Sequence, residues 1–206
     1  MRIISIDFLR YDLSKPLDVF RAKGRDYKHH YTHRTFTLKV FERFAPRFEG
    51  YKLITDFPAL ANSGFNTEIV KLEPEAMLSN MQDNTWVHFW GTLHTIPLNI
   101  PIPEYLKEYE RRLTELIEII DRSMTGEYIL TADHGIIIDD EPIIQTERKP
   151  KLGGRALCEG TLHVPLIHVG QSGIVERFTS HDNLLGDETE DWTELPCIFM
   201  KQDYLL

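Results

Sequence analysis

The stretch Ile129-Leu130-Thr131-Ala132-Asp133-His134-Gly135 runs four mostly apolar residues into an acid, an imidazole and a glycine. A buried parallel strand that ends at a site reads this way: an apolar run, polar groups at its carboxyl end, then a permissive turn. In open α/β sheets ligands collect outside the carboxyl ends of strands, so Asp133 and His134 stand where chemistry is expected. A hard carboxylate oxygen beside a borderline imidazole nitrogen suits zinc, manganese or a similar divalent ion. In the plainer alternative Asp133 caps the next segment and His134 fills a polar gap.

A second stretch repeats the pattern. Ile3-Ile4-Ser5-Ile6-Asp7 is an apolar strand ending in an acid, followed by the turn Phe8-Leu9-Arg10-Tyr11-Asp12. Two strands that each end in an aspartate at one edge suggest a single metal site.

The frame around these strands is an ordinary globular chain. Its 206 residues are 42% hydrophobic and 27% charged, which suits one domain over 1–206 with a real core. A net charge of -9 argues against a nucleic-acid partner, because phosphate backbones demand a basic face. An acidic enzyme still binds an anionic substrate where a metal supplies local positive charge. Cys158 and Cys197 have no zinc spacing and form no disulfide framework, so both read as buried free thiols. No signal-peptide pattern or membrane-length apolar run is visible, and the expectation is a cytoplasmic protein without a membrane partner. The sequence leaves a homo-oligomer open.

In chain order, Pro16 to Gly24 predicts a short helix, and the segment 29–37 concentrates His29, His30, His33, Arg34, Thr35 and Thr37. Val40 to Phe48 reads as helical up to Pro46, Phe57 to Gly64 as a short capped helix, and Thr67 to Leu72 as a strand. Thr85-Trp86-Val87-His88-Phe89-Trp90 is an aromatic, β-branched strand ending at Gly91, followed by His94 and a proline-rich loop. Glu104 to Ser123 is the best helix, with Leu106, Tyr109, Leu113, Leu116, Ile117 and Ile120 on one face. With the strands on either side it predicts a right-handed crossover unit. Val164 to Val169 is a further strand, Asp187 to Glu194 an acidic exposed tail, and Ile198 to Met200 an edge strand.

Together these stretches resemble the alkaline-phosphatase and sulfatase superfamily in compact form. Residues 3–12 look like its opening strand with a metal-binding aspartate. Trp86 to Pro97 is similar to the strand before its substrate-side His-x-Pro, and Tyr105 to Asp121 to its long helix. Leu130 to Gly135 resembles its Asp-His-Gly, Glu159 to Ile167 its late Glu-Gly-Thr-x-x-Val-Pro-Leu-Ile strand, and Thr179-Ser180-His181-Asp182 the motif that follows. The motifs stand in family order.

The resemblance implies a doubly wound α/β fold with a mainly parallel sheet and helices on both faces. It implies one divalent ion, zinc or manganese first and calcium or magnesium next, held by Asp7, Asp133 and His134. Thr35 resembles the nucleophile of the nucleotide pyrophosphatase branch, bound to the same ion, with Thr32 and Thr37 as rivals. A hydroxyl needs such coordination to attack at neutral pH. His94 would touch the transferred group, and Arg34 or Lys151 would balance its charge. His163 and His181 read as core or surface histidines rather than ligands of a second ion.

Some features depart from the family. Trp90 stands where two-metal branches carry an aspartate, which points to one metal or an incomplete site. The Thr-Gly closing the nucleophile helix is absent, and the span from nucleophile to His94 is short. No cysteine or serine lies in a Cys/Ser-x-Pro-x-Arg context, so a phosphate ester is expected rather than a sulfate. The expectation is a metal-dependent hydrolase or transferase acting on a small phosphate ester. Its alternatives are a sulfatase-type hydrolase and a non-catalytic module that keeps the fold for binding or assembly.

Overall fold

The computed structural model describes residues 1–10, 13–30, 37–71, 73–79, 81–97, 100–133, 135–137, 158–159 and 163–169. The elements are β1 (Arg2–Ile6), a 3-10 turn (Lys15–Leu17), α1 (Asp18–Arg21), β2 (Gly24–His30) and α2 (Thr37–Phe44) with a 3-10 extension (Ala45–Arg47). Next come β3 (Lys52–Thr55), a 3-10 turn (Pro58–Asn62), β4 (Asn66–Ile69), α3 (Pro74–Ser79) and β5 (Thr85–Phe89). The rest are α4 (Gly91–His94), α5 (Ile102–Ser123), β6 (Tyr128–Thr131), β7 (Ile136–Ile137), β8 (Cys158–Glu159) and β9 (His163–Val169).

Seven strands form one sheet in the order β2-β9-β6-β1-β5-β3-β4, and β7 pairs with β8 apart from it. The strands β6, β1, β5, β3 and β4 run parallel, while β9 lies antiparallel to both β6 and β2. Burial on two faces explains why β1, β5 and β6 read as apolar runs: Ile3, Ile4, Ile6, Trp86, Val87, Phe89, Ile129 and Leu130 are fully buried. From Trp86 the ring contacts reach Phe41 at 5.0 Å and Phe44 at 6.0 Å, which seats α2 on that face. The opposite face carries Tyr128, met edge-on by Phe20 of α1. Helices on both faces make the domain doubly wound, as expected. The crossover from β5 through α5 to β6 passes over β1, which lies between the two strands.

The helix α5 buries Tyr105, Tyr109, Leu113, Leu116, Ile117 and Ile120. Tyr105 thus takes a core place that the periodicity gave to Leu106, which is only partly buried. Pro103 in its first turn loses no hydrogen bond there, and Arg122 in the last turn suits the negative end of the dipole. Arg111 and Arg112 both hold Glu108 at 2.7 Å along the exposed side.

Two expectations change. Residues 16–24 are helical over a shorter stretch than expected, a 3-10 turn running into α1, and Gly24 opens β2 instead of ending the helix. Residues 58–62 form a 3-10 turn, closed by Gly64 at φ 88°, a conformation that glycine adopts without strain.

Candidate functional site

Asp7 and Asp133 each follow a strand end, and the ladder fixes their relation. Ser5 of β1 pairs with Thr131 of β6, so each aspartate stands two residues beyond one rung of adjacent parallel strands. The amide of Asp7 donates to the Phe89 carbonyl at 2.9 Å, extending the contact with β5 by one residue. Both carboxylates belong to fully buried residues. Buried charge of one sign in one place requires compensation by cations or hydrogen bonds.

One compensating group is His94, whose Nδ1 lies 3.0 Å from Asp7 Oδ2. The imidazole is 8% exposed and sits between two rings, Phe8 at 4.6 Å and Trp90 at 4.2 Å. Phe57 stacks on the far side of Trp90 at 4.7 Å, nearly parallel at 7°. The imidazole plane is therefore fixed by packing as well as by Asp7.

Neighbouring groups hold α4, which carries His94. The Asp56 carboxylate, just beyond β3, accepts the amides of Trp90 at 2.8 Å and Gly91 at 2.7 Å. At the other end Arg112 of α5 donates to Thr95 Oγ1 at 2.8 Å and the Thr92 carbonyl at 3.2 Å. Phe8 has φ 62°, an uncommon setting for a bulky residue. It is held there by Tyr109, whose hydroxyl donates to the Phe8 carbonyl at 2.9 Å and accepts the Arg10 amide at 3.1 Å.

A second histidine, His88, lies fully buried in β5. Its Nδ1 is 2.9 Å from Ser5 Oγ, which accepts the Trp86 indole N–H at 2.7 Å. Its Nε2 is 4.0 Å from Asp133 Oδ2. A cleft of about 510 Å³ opens between Asp56, Ile69, Lys71, Trp90 and Thr95.

Of the expected site residues, Asp7, Asp133 and His94 are described, and Asp7 and His94 are in contact. Thr37, a rival nucleophile, is buried as the first residue of α2. Thr32, Arg34, Thr35, His134 and Lys151 lie outside the described residues. Hard carboxylate oxygens with imidazole nitrogens nearby fit a divalent ion in chemistry. Among the described residues no three His, Cys, Asp or Glu side chains form a complete metal-binding group. No helix among the described residues is long and apolar enough to cross a membrane.

No family model and no curated protein matches the chain. Among solved structures it is similar to a 2-O GAG sulfatase at 12% identity and a TM-score of 0.49, over 83% of this chain and 64% of the sulfatase. It is also similar to murine ectonucleotide pyrophosphatase/phosphodiesterase 5, inactive and in complex with AMP, at 11% identity and a TM-score of 0.43, over 78% and 66% of the two chains. A third is the C-terminal periplasmic domain of EcEptC from Escherichia coli in complex with Zn, at 10% identity and a TM-score of 0.47, over 83% and 72%. The chain spans under two thirds of the sulfatase and of the phosphodiesterase.

Proposed function

We propose that the chain is a metal-dependent enzyme that hydrolyses or transfers a small phosphate ester. The observation that carries this reading is the pair of fully buried carboxylates, Asp7 and Asp133, in matching register beyond adjacent parallel strands. An arrangement of this kind gathers negative charge at the edge where α/β sheets bind ligands. Asp7, Asp133 and His134 would hold the ion, with zinc and manganese suiting the oxygen and nitrogen donors best and calcium or magnesium next. When bound, the ion supplies Lewis-acid activation and local positive charge.

The chain's own groups do the rest. Thr35 attacks phosphorus: its Oγ–P bond forms as the ester P–O bond breaks, its proton passes to solvent, and the leaving oxygen departs with the bond pair. Water then cleaves the phosphothreonine and regenerates the hydroxyl. With Nδ1 of His94 engaged by Asp7, Nε2 is the nitrogen left to meet the charge developing on the transferred group. The Phe8 and Trp90 rings hold that imidazole in one plane, so little reorganisation is needed. Arg34 and Lys151 balance the anionic substrate.

Metal uptake and ester turnover test the reading together. The purified protein should take up about one equivalent of zinc or manganese, turn over an aryl phosphate mono- or diester, and leave the matching aryl sulfate intact. Asp7→Asn and Asp133→Asn should lose both properties. A folded wild-type protein that takes up neither ion would instead be a binding or assembly module. Chelator-sensitive sulfatase activity would overturn the choice of phosphate.

A further inference from the structure

The proposed mechanism gives no task to His88, a buried titratable side chain of β5. A histidine inside Trp86-Val87-His88-Phe89 is a polar group in the middle of a fully buried strand, and such groups are kept only where they are bonded. The Trp86 indole can only donate, so Ser5 Oγ accepts there at 2.7 Å. The Ser5 hydroxyl proton is then available to His88 Nδ1, 2.9 Å away, and in that arrangement the nitrogen is the acceptor. The tautomer that matches it carries the ring proton on Nε2. That N–H has no hydrogen-bond partner among the described residues and stands 4.0 Å from Asp133 Oδ2. The ring itself is confined by Phe41, whose centroid is 4.9 Å away.

We propose that His88 is a positioning residue for the metal site, which rests on the function proposed above. Through its Nε2–H it orients the Asp133 carboxylate toward the ion, and Ser5 with Trp86 fixes the tautomer that makes this orientation available. Hydrogen bonds to the outer side of ligating carboxylates restrict which oxygen turns to the metal, and their loss weakens metal binding by about 10- to 100-fold. Hydrogen bonds join Trp86, Ser5 and His88, and the series ends 4.0 Å from Asp133 Oδ2.

Calorimetric titration of the apo full chain with zinc or manganese tests it, with the apo melting curve recorded beside each variant. His88→Phe keeps the ring in its packing and removes both nitrogens, and should weaken ion binding about 10- to 100-fold. His88→Gln returns an N–H in the place of Nε2 and should recover most of the affinity. Ser5→Ala frees the tautomer and should fall between the two, and it carries the test should His88→Phe not fold. Unchanged affinity in folded His88→Phe, or in Ser5→Ala where the former does not fold, overturns the proposal. Asp133→Asn separates the readings. Loss of binding in Asp133→Asn with none in His88→Phe refutes only the role of His88, while a wild type that takes up no ion refutes the metal site and this proposal with it.

Discussion

His94 hydrogen-bonds Asp7 across 87 residues of chain, Nδ1 to Oδ2 at 3.0 Å, and so joins the short helix α4 to the end of β1. If His94 steadies charge on the transferred group, His94→Asn should lower kcat on an aryl phosphate by about 10²- to 10³-fold, the usual loss for one such donor. Steady-state kinetics decide it. Unchanged kcat with a lowered melting temperature would reduce His94 to a packing residue.

Thr35→Ala should abolish turnover and leave metal uptake within a few fold and thermal unfolding unchanged. Retained activity in Thr35→Ala, with loss in Thr32→Ala or Thr37→Ala, would move the nucleophile along the segment. Thr37 is the rival already buried in α2, where its substitution should also destabilise the fold.

Tyr109→Phe removes the hydroxyl that both donates to the Phe8 carbonyl and accepts the Arg10 amide. Leaving such buried backbone groups unpaired costs about 1–3 kcal/mol. Urea unfolding should read that loss. Activity should fall as well, since Phe8 packs on His94. A Tyr109→Phe protein as stable and active as wild type would show that water replaces the hydroxyl freely.

The Glu108 carboxyl is drawn down from its ordinary 4.5 to about 2 by hydrogen bonds from Arg111 and Arg112. A depressed carboxyl stabilises the fold above the unfolded value and loses that contribution as the pH falls through the folded one. Acid melting should therefore show a fall in stability from about pH 4.5 toward 2 that Glu108→Gln lacks. The pair is solvent-exposed, so salt should shrink the difference. Identical acid profiles for the two proteins would rule the contribution out.

The central strands were legible because burial on both faces writes itself as apolar runs: β1, β5 and β6 fall within a residue or so of their expected places. β2 was not, since Gly24-Arg25-Asp26-Tyr27-Lys28-His29-His30 has no apolar pattern. As an edge strand it is specified by backbone pairing with β9, which the side chains do not announce. β3 is too short, with Leu53 and Ile54 as its apolar centre, to rise above the background. Asp7 and Asp133 share their pattern, an apolar strand closing on an acid, with Ile54-Thr55-Asp56. That third acid is the carboxylate that holds α4. His88 was hidden by its place inside a strand. Its signal was the incongruity itself, one ionisable residue among Trp86, Val87 and Phe89, which demands a partner.

The adjacency of β1 and β6 also has a consequence in time. Arg2–Ile6 leaves the ribosome about 120 residues before its neighbour Tyr128–Thr131. At roughly 5–20 residues per second that is a wait of about 6–24 s, during which β1 has no partner on that side. Its other neighbour, Thr85–Phe89, is also made late. The nascent chain must shelter β1 until both arrive, so the pairing that sets Asp7 beside Asp133 forms only after the second of them is made.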